Sequence, residues 1–299
     1  MESTAKKTFS RVGISYFVLM LLTQLLQISA AGIIAAIAPQ LAQTDWYLWV
    51  LSYVPLYGIA VPVFVWLMHR IPSGDAPEQK AMSAKTWLRY FLFAMGATYI
   101  LNMVSSLINL GIGFLKGAPV MNPLASMQLG SGLIYNFIFG CLVAPIGEEF
   151  LFRKLLHDKI GRFGEKAFIL TGGFIFALFH GNLSQLLYAF VLGAMFCYIY
   201  AKTGQLIYTI ALHIVINTLG FLVMPLAIQS EIGMGIAVFV IFVFIVCAAV
   251  IFFRTRKSVW YADGDEALPD HPVKAVLWNG GMILYTALCA VLIVIVILS

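Results

Sequence analysis

With 62% hydrophobic and 10% charged residues among 299, the chain holds more apolar side chains than one water-soluble core can hide, which excludes a soluble globular enzyme. The net charge of +5 is confined to short segments between long apolar runs, a pattern of membrane topology that argues against a nucleic-acid partner. All four cysteines, Cys141, Cys197, Cys247 and Cys289, fall within apolar runs without CxxC spacing and read as packing residues, neither disulfides nor a zinc knuckle.

The first apolar run, 13–38, follows Lys6, Lys7 and Arg11 and is longer than a signal-peptide core, so it is expected to be a retained span. Runs able, or nearly able, to cross about 30 Å of hydrocarbon follow at 46–68, 87–113, 131–160, 167–180, 185–201, 206–224, 232–253 and 275–298. The expected fold is therefore all-α and polytopic, with about nine transmembrane helices. Threading them alternately from a cytosolic amino terminus leaves Lys116 as the one Lys or Arg, of 18, outside the cytosolic segments. Such asymmetry is what the positive-inside rule requires, and the short loops favour the plasma membrane of a bacterium.

Loop punctuation supports these breaks, with Ile71 to Pro77 after the second run and Asp263 to Pro272 before the ninth. Trp46, Tyr47, Trp49 and Trp87 sit at run ends, where an aromatic belt is expected. Gly111, Gly113, Gly233 and Gly235 are read as easing helix packing. The chain divides into helices one to three (1–130), a core of helices four to seven (131–224) and helices eight and nine (225–299). The fifth run, between Lys166 and the Gly181-Asn182 turn, is too short to cross unless its turn dips into the bilayer, which implies a polar cavity there.

Charge inside an apolar run is costly, on the order of 2.5–3.5 kcal/mol for one acid at a span's centre, so the adjacent Glu148 and Glu149 need a partner, water or a task. On a helix Glu149 and Arg153 are four apart and can pair, while Glu148 is turned about 100° away and stays free. Two neighbouring buried carboxylates also disfavour double ionisation, which suits one of them to act as a base near neutral pH. His180 ends the fifth run, and His213 and Asn217 share one helix face in the seventh. Antiparallel packing of the fourth and fifth runs about Gly161 to Gly164 sets Glu148 and His180 at one depth, whereas His213 counts as shallower unless the hairpin protrudes into the cytosol.

Glu148-Glu149-x-x-x-Arg153, Phe176-x-x-x-His180 and His213-x-x-x-Asn217, in this order on successive apolar runs, resemble the three motifs of the CAAX-protease and bacteriocin-processing (CPBP, or Abi) family of intramembrane proteases. The resemblance implies an intramembrane endopeptidase acting on a membrane-associated peptide or protein, with Glu148 as general base and His180 holding and polarising the water. His213 and Asn217 would then stabilise the oxyanion, with Glu149 and Arg153 completing the motif as support. The residue types suit hydrolysis without a nucleophilic serine or cysteine.

Three readings compete. Zinc held by Glu148, His180 and His213, with Glu149 as base, gives a His2Glu site, although no HExxH is present; a metal-free mechanism is favoured over it. A proton-coupled transporter also uses short helices with paired acids and histidines. A non-catalytic immunity or binding member of the same family is the third. The Asn182-Leu183-Ser184 sequon is read as accidental, and His69, His157 and His271 receive no role.

Overall fold

The computed structural model describes residues 4–299 and is helical wherever it is regular. Nine principal helices follow the apolar runs: α1 (Thr4–Ile37), α2 (Tyr47–His69), α3 (Ala84–Lys116), α4 (Leu133–Phe163), α5 (Glu165–Phe179), α6 (Leu183–Thr203), α7 (Leu206–Ala227), α8 (Glu231–Thr255) and α9 (Gly280–Leu298). Eight are long and apolar enough to cross a bilayer; α5, at 15 residues, is not. The nine expected helices are present, and the fifth is the short one, as its run length implied, because Gly181 and Asn182 stop it early.

Local chemistry sets the ends. Ser83, Asn182, Ser230 and Asn279 each accept a backbone N–H in the first turn of α3, α6, α8 and α9, satisfying donors that have no intrahelical partner. Gly117 and Gly204 close α3 and α6 at φ of 75° and 63°, a left-handed conformation that a Cβ would oppose. Asn182 is buried and occupied as a cap, which explains why its sequon is only a coincidence of residue types.

Helix pairs meet where glycine removes the side chain. A Cβ on Gly281 of α9 would lie 1.8 Å from the Ser10 carbonyl oxygen of α1, and one on Gly96 of α3 would lie 2.2 Å from that of Phe244 in α8. Gly172, Gly173 and Gly193 do the same between α5 and α6. Gly111 and Gly235 face open space and pack nothing, and Gly113 and Gly233 stand against turns, so the packing glycines are other than those expected. Trp49 also departs from the belt: it is buried among Phe139, Tyr53 and Phe221 and donates to Asn136 Oδ1 at 3.0 Å.

One end of the bundle is basic and cross-linked. Lys202 pairs with Glu165, Arg162 with Glu266, Lys159 donates to Ile71 O and Ser73 Oγ, and Lys80 N donates to Thr203 O. The larger apolar core, built on α1, α2, α4, α5 and α9, reaches from this end to mid-bundle. At the opposite end α1, α3 and α8 expose large apolar side chains such as Ile37, Phe114 and Ile232.

Candidate active site

Helix α4 winds unevenly, with π-helical stretches at Asn136–Val143 and Phe150–Leu155 on either side of the Ala144–Glu149 turns that carry the two acids. Such widened turns are common at functional sites. Glu149 and Arg153 are fully buried, and the guanidinium donates through Nε to Oε2 at 2.9 Å and through Nη2 to Oε1 at 3.0 Å. The rings of Phe176 and Phe196 cover the guanidinium, their centroids 4.5 and 5.4 Å from Cζ. This bidentate, aromatic-lined pair balances the carboxylate charge inside the bundle.

From α7, His213 reaches the same carboxylate, Nδ1 standing 2.9 Å from Glu149 Oε1. A carboxylate only accepts, so Nδ1 carries the hydrogen and Nε2 of the neutral ring is a lone-pair acceptor. That Nε2 lies 3.8 Å from Glu148 Oε2. The gap is too long for a direct hydrogen bond and short enough for a water about 2.8 Å from both atoms. Glu148 is turned away from Arg153, and its side chain keeps 21% of its surface. Although it counts as shallower in sequence, His213 stands beside both acids, and the α4–α5 turn is tied to the end of α6 by Lys202 and Glu165.

His180 ends α5. Its Nδ1 donates to Phe176 O at 2.8 Å, which fixes the same tautomer as in His213 and leaves Nε2 open. Gly181, at φ +62°, then turns the chain into α6, and Asn182 Nδ2 holds the His180 carbonyl at 2.8 Å. Glu148 and His180 interact electrostatically, and Tyr53, Tyr57 and Tyr188 also feel the Glu148 charge. Asn217, one turn beyond His213, donates from Nδ2 to Gly140 O at 3.0 Å, spending one of its two hydrogens on a carbonyl of the first π stretch.

The structure therefore brings Glu148, Glu149, Arg153 and His213 together, sets His180 at the neighbouring helix end and anchors Asn217 against α4. Phe176, Phe196 and the three tyrosines are parts that motif spacing did not single out for a role. Phe176 alone carried a signal, four residues before His180, where its carbonyl meets the imidazole and its ring covers Arg153.

Among the described residues no three His, Cys, Asp or Glu side chains gather to hold a metal ion. Glu148, His180 and His213 as placed do not fit a zinc centre, and Glu149, which that reading needs as a base, is already bound by Arg153 and His213.

Residues 130–219 match the family model described as type II CAAX prenyl endopeptidase Rce1-like. The Bacillus subtilis (strain 168) protein named "Putative membrane peptidase YdiL" is 33% identical over 84 residues, 27% of this chain and 34% of that protein. The aligned stretch thus spans about a third of the length of that relative. No solved structure matches the chain.

Proposed function

We propose, from the premise that residues 130–219 form a core of the CAAX-protease and bacteriocin-processing family, that the chain is an intramembrane endopeptidase that hydrolyses a membrane-associated peptide or protein with a glutamate-activated water. One observation carries this reading: Glu148, the partly solvated acid of the pair, faces the open nitrogen of a histidine whose other nitrogen is pinned to Glu149, itself held by Arg153.

In this mechanism the water sits between Glu148 Oε2 and His213 Nε2. Glu148 takes one proton as the water oxygen attacks the scissile carbonyl carbon, and it returns that proton to the amide nitrogen when the C–N bond breaks. The open Nε2 of His180, also an acceptor, takes the water's second hydrogen once His213 turns to the oxyanion. His213 accepts from the water through Nε2; when the proton abstracted by Glu148 passes to that nitrogen the ring donates to the oxyanion, with the Glu149 carboxylate behind it stabilising the imidazolium, until the proton goes back through Glu148 to the amide nitrogen. The second hydrogen of Asn217 Nδ2 is the other donor. Since the donors do not fit zinc, the proposed route uses protein groups alone. The orientation with Lys116 outside and the basic end in the cytosol belongs to the same proposal, as does a bacterial plasma membrane.

The test uses purified full-length protein in lipid nanodiscs with internally quenched peptides. Glu148→Gln should lower cleavage by about 10²–10⁴-fold, the usual worth of a general base, with an unchanged unfolding midpoint. Cleavage at the wild-type rate by Glu148→Gln would rule out the assigned base. A proton-coupled carrier would show no peptide cleavage at all in the wild type.

A further inference from the structure

At the basic end a recess of about 480 Å³ opens between α3, α6 and α8, under the segment that follows α8. Helix α3 packs against both neighbours, and the recess lies beyond the close contact of Gly96 with Phe244, toward the helix ends. Two arginines line it, Arg89 of α3 and Arg256 at the end of α8, and no carboxylate does. Neither guanidinium has an ion-pair partner among the described residues; they lie by the rings of Tyr90 and Phe253 instead. Tyr198 and Tyr261, edge to face with ring centroids 6.3 Å apart, complete the polar side, and neither phenol is hydrogen-bonded among the described residues.

The lining is sorted by depth. Arg89 and Phe93 are four apart on α3, as are Phe252 and Arg256 on α8, while Val191, Ala194 and Tyr198 recur at helical spacing on α6. On each helix the cation or phenol is nearer the helix end, and the apolar member lies about one turn, roughly 6 Å, deeper. The covering segment is anchored. Glu165 N donates to Ala262 O at 3.1 Å, Ala262 N donates to Glu165 Oε2 at 2.7 Å, and the Lys202 ammonium stands over the Trp260 ring. These ties hold Tyr261 over the recess.

We propose that this recess binds one anionic phospholipid, with its phosphodiester between Arg89 and Arg256 and an acyl chain along Phe93, Val191 and Phe252. The inference stands apart from the endopeptidase reading. Insertion by charge asks only for cations at this end of the bundle, whereas two unpaired guanidiniums in one recess free of carboxylates supply forked N–H donors matched to a phosphodiester. Basic pockets between membrane helices suit such head groups. The apolar wall one turn deeper argues against a free anion, which would leave that wall uncovered. A zwitterionic head would bring an ammonium toward the same two guanidiniums, which favours a head whose one charge is the phosphate.

Native mass spectrometry of the full-length protein in neutral detergent micelles, titrated with dioleoylphosphatidylglycerol, tests this directly. The wild type should hold one phosphatidylglycerol, more tightly than dioleoylphosphatidylcholine. Arg89→Gln with Arg256→Gln should weaken that binding by about ten- to thirty-fold, the scale of two cations at an anionic head group. Arg254→Gln with Lys257→Gln removes the same charge from exposed positions that do not line the recess, and should leave binding within about two-fold. Equal losses in the two double variants, or no loss in the first, overturn the site. Glycerophosphoglycerol, the same head without chains, should fail to compete at millimolar concentration. Competition by it or by inorganic phosphate would make this a free-anion site, and competition by hexaglutamate an acidic-peptide site; each refutes lipid occupancy. In a thermal melt phosphatidylglycerol should raise the unfolding midpoint of the wild type and spare that of the Arg89→Gln, Arg256→Gln protein. A rise of equal size in both would place the lipid elsewhere and overturn the proposal.

Discussion

At the scale of single residues the two adjacent acids do different work, and their surroundings decide which does what. Glu149 is fully buried, gripped by Arg153 and approached by His213, so its carboxylate is committed. Glu148 keeps contact with solvent and faces an open imidazole nitrogen. Removing one partner of a buried ion pair leaves the other charge without compensation, at about 3–5 kcal/mol. Arg153→Leu should therefore lower stability by that order in a denaturant titration, and Glu149→Gln with Arg153→Leu should recover a large part of it. A single variant as stable as wild type would mean that the pair does not hold α4 together. Glu148→Gln, by contrast, should leave the unfolding curve in place and remove only turnover. The i, i+4 spacing made the Glu149 and Arg153 pair legible in sequence, because a helix brings those positions to one face whatever surrounds them. The rings over Arg153 were not legible, since Phe196 belongs to another helix and nothing local marks its direction.

At the scale of elements the two π stretches of α4 shape the site, and they and a third at Thr218–Val223 of α7 each draw a side-chain donor from elsewhere. Tyr16 of α1 donates to Leu151 O at 2.9 Å, Tyr53 of α2 to Phe139 O at 3.0 Å, Asn217 of α7 to Gly140 O, and Gln128 to Phe221 O in α7. A widened turn shifts carbonyls out of the regular ladder, and in an apolar interior those groups have to find donors. Tyr16→Phe should accordingly cost about 1–3 kcal/mol, the penalty for a buried carbonyl left unpaired, measured as a lower denaturation midpoint. No change on Tyr16→Phe would show that the Leu151 carbonyl is satisfied within α4. This explains where sequence reading stopped. Apolar run lengths and the turns at Gly164, Gly181 and Gly204 were enough to place the helices, because the bilayer dictates the first and positive φ the second. The π stretches depend on donors over a hundred residues away in the case of Tyr16, so no local pattern announces them. Trp49 was misread for the same reason: a belt residue and an interior residue look alike until Asn136 is seen beside the indole.

Over the whole molecule, the two ends of the bundle differ in charge and in packing, and the difference gives the site a direction. Apart from Arg153, buried at the site, and Lys116, which donates to Ile297 O at 2.8 Å at the other end, the Lys and Arg fall in the segments of the end that carries the Lys202–Glu165 and Arg162–Glu266 pairs. Cytoplasmic loops retain Lys and Arg, and the proposed orientation accordingly sets the cross-linked end in the cytosol and the splayed ends of α1, α3 and α8 on the far side. In that proposed orientation the α5–α6 turn with His180 lies toward the far side. Cysteine accessibility decides the point, because Cys141, Cys197 and Cys289 are buried and offer little background. In intact cells an impermeant maleimide should label Lys116→Cys and spare Lys257→Cys until the membrane is opened. The reverse pattern would invert the bundle, bringing substrate to Glu148 from the cytosol, and the charge asymmetry would then need a cause other than insertion.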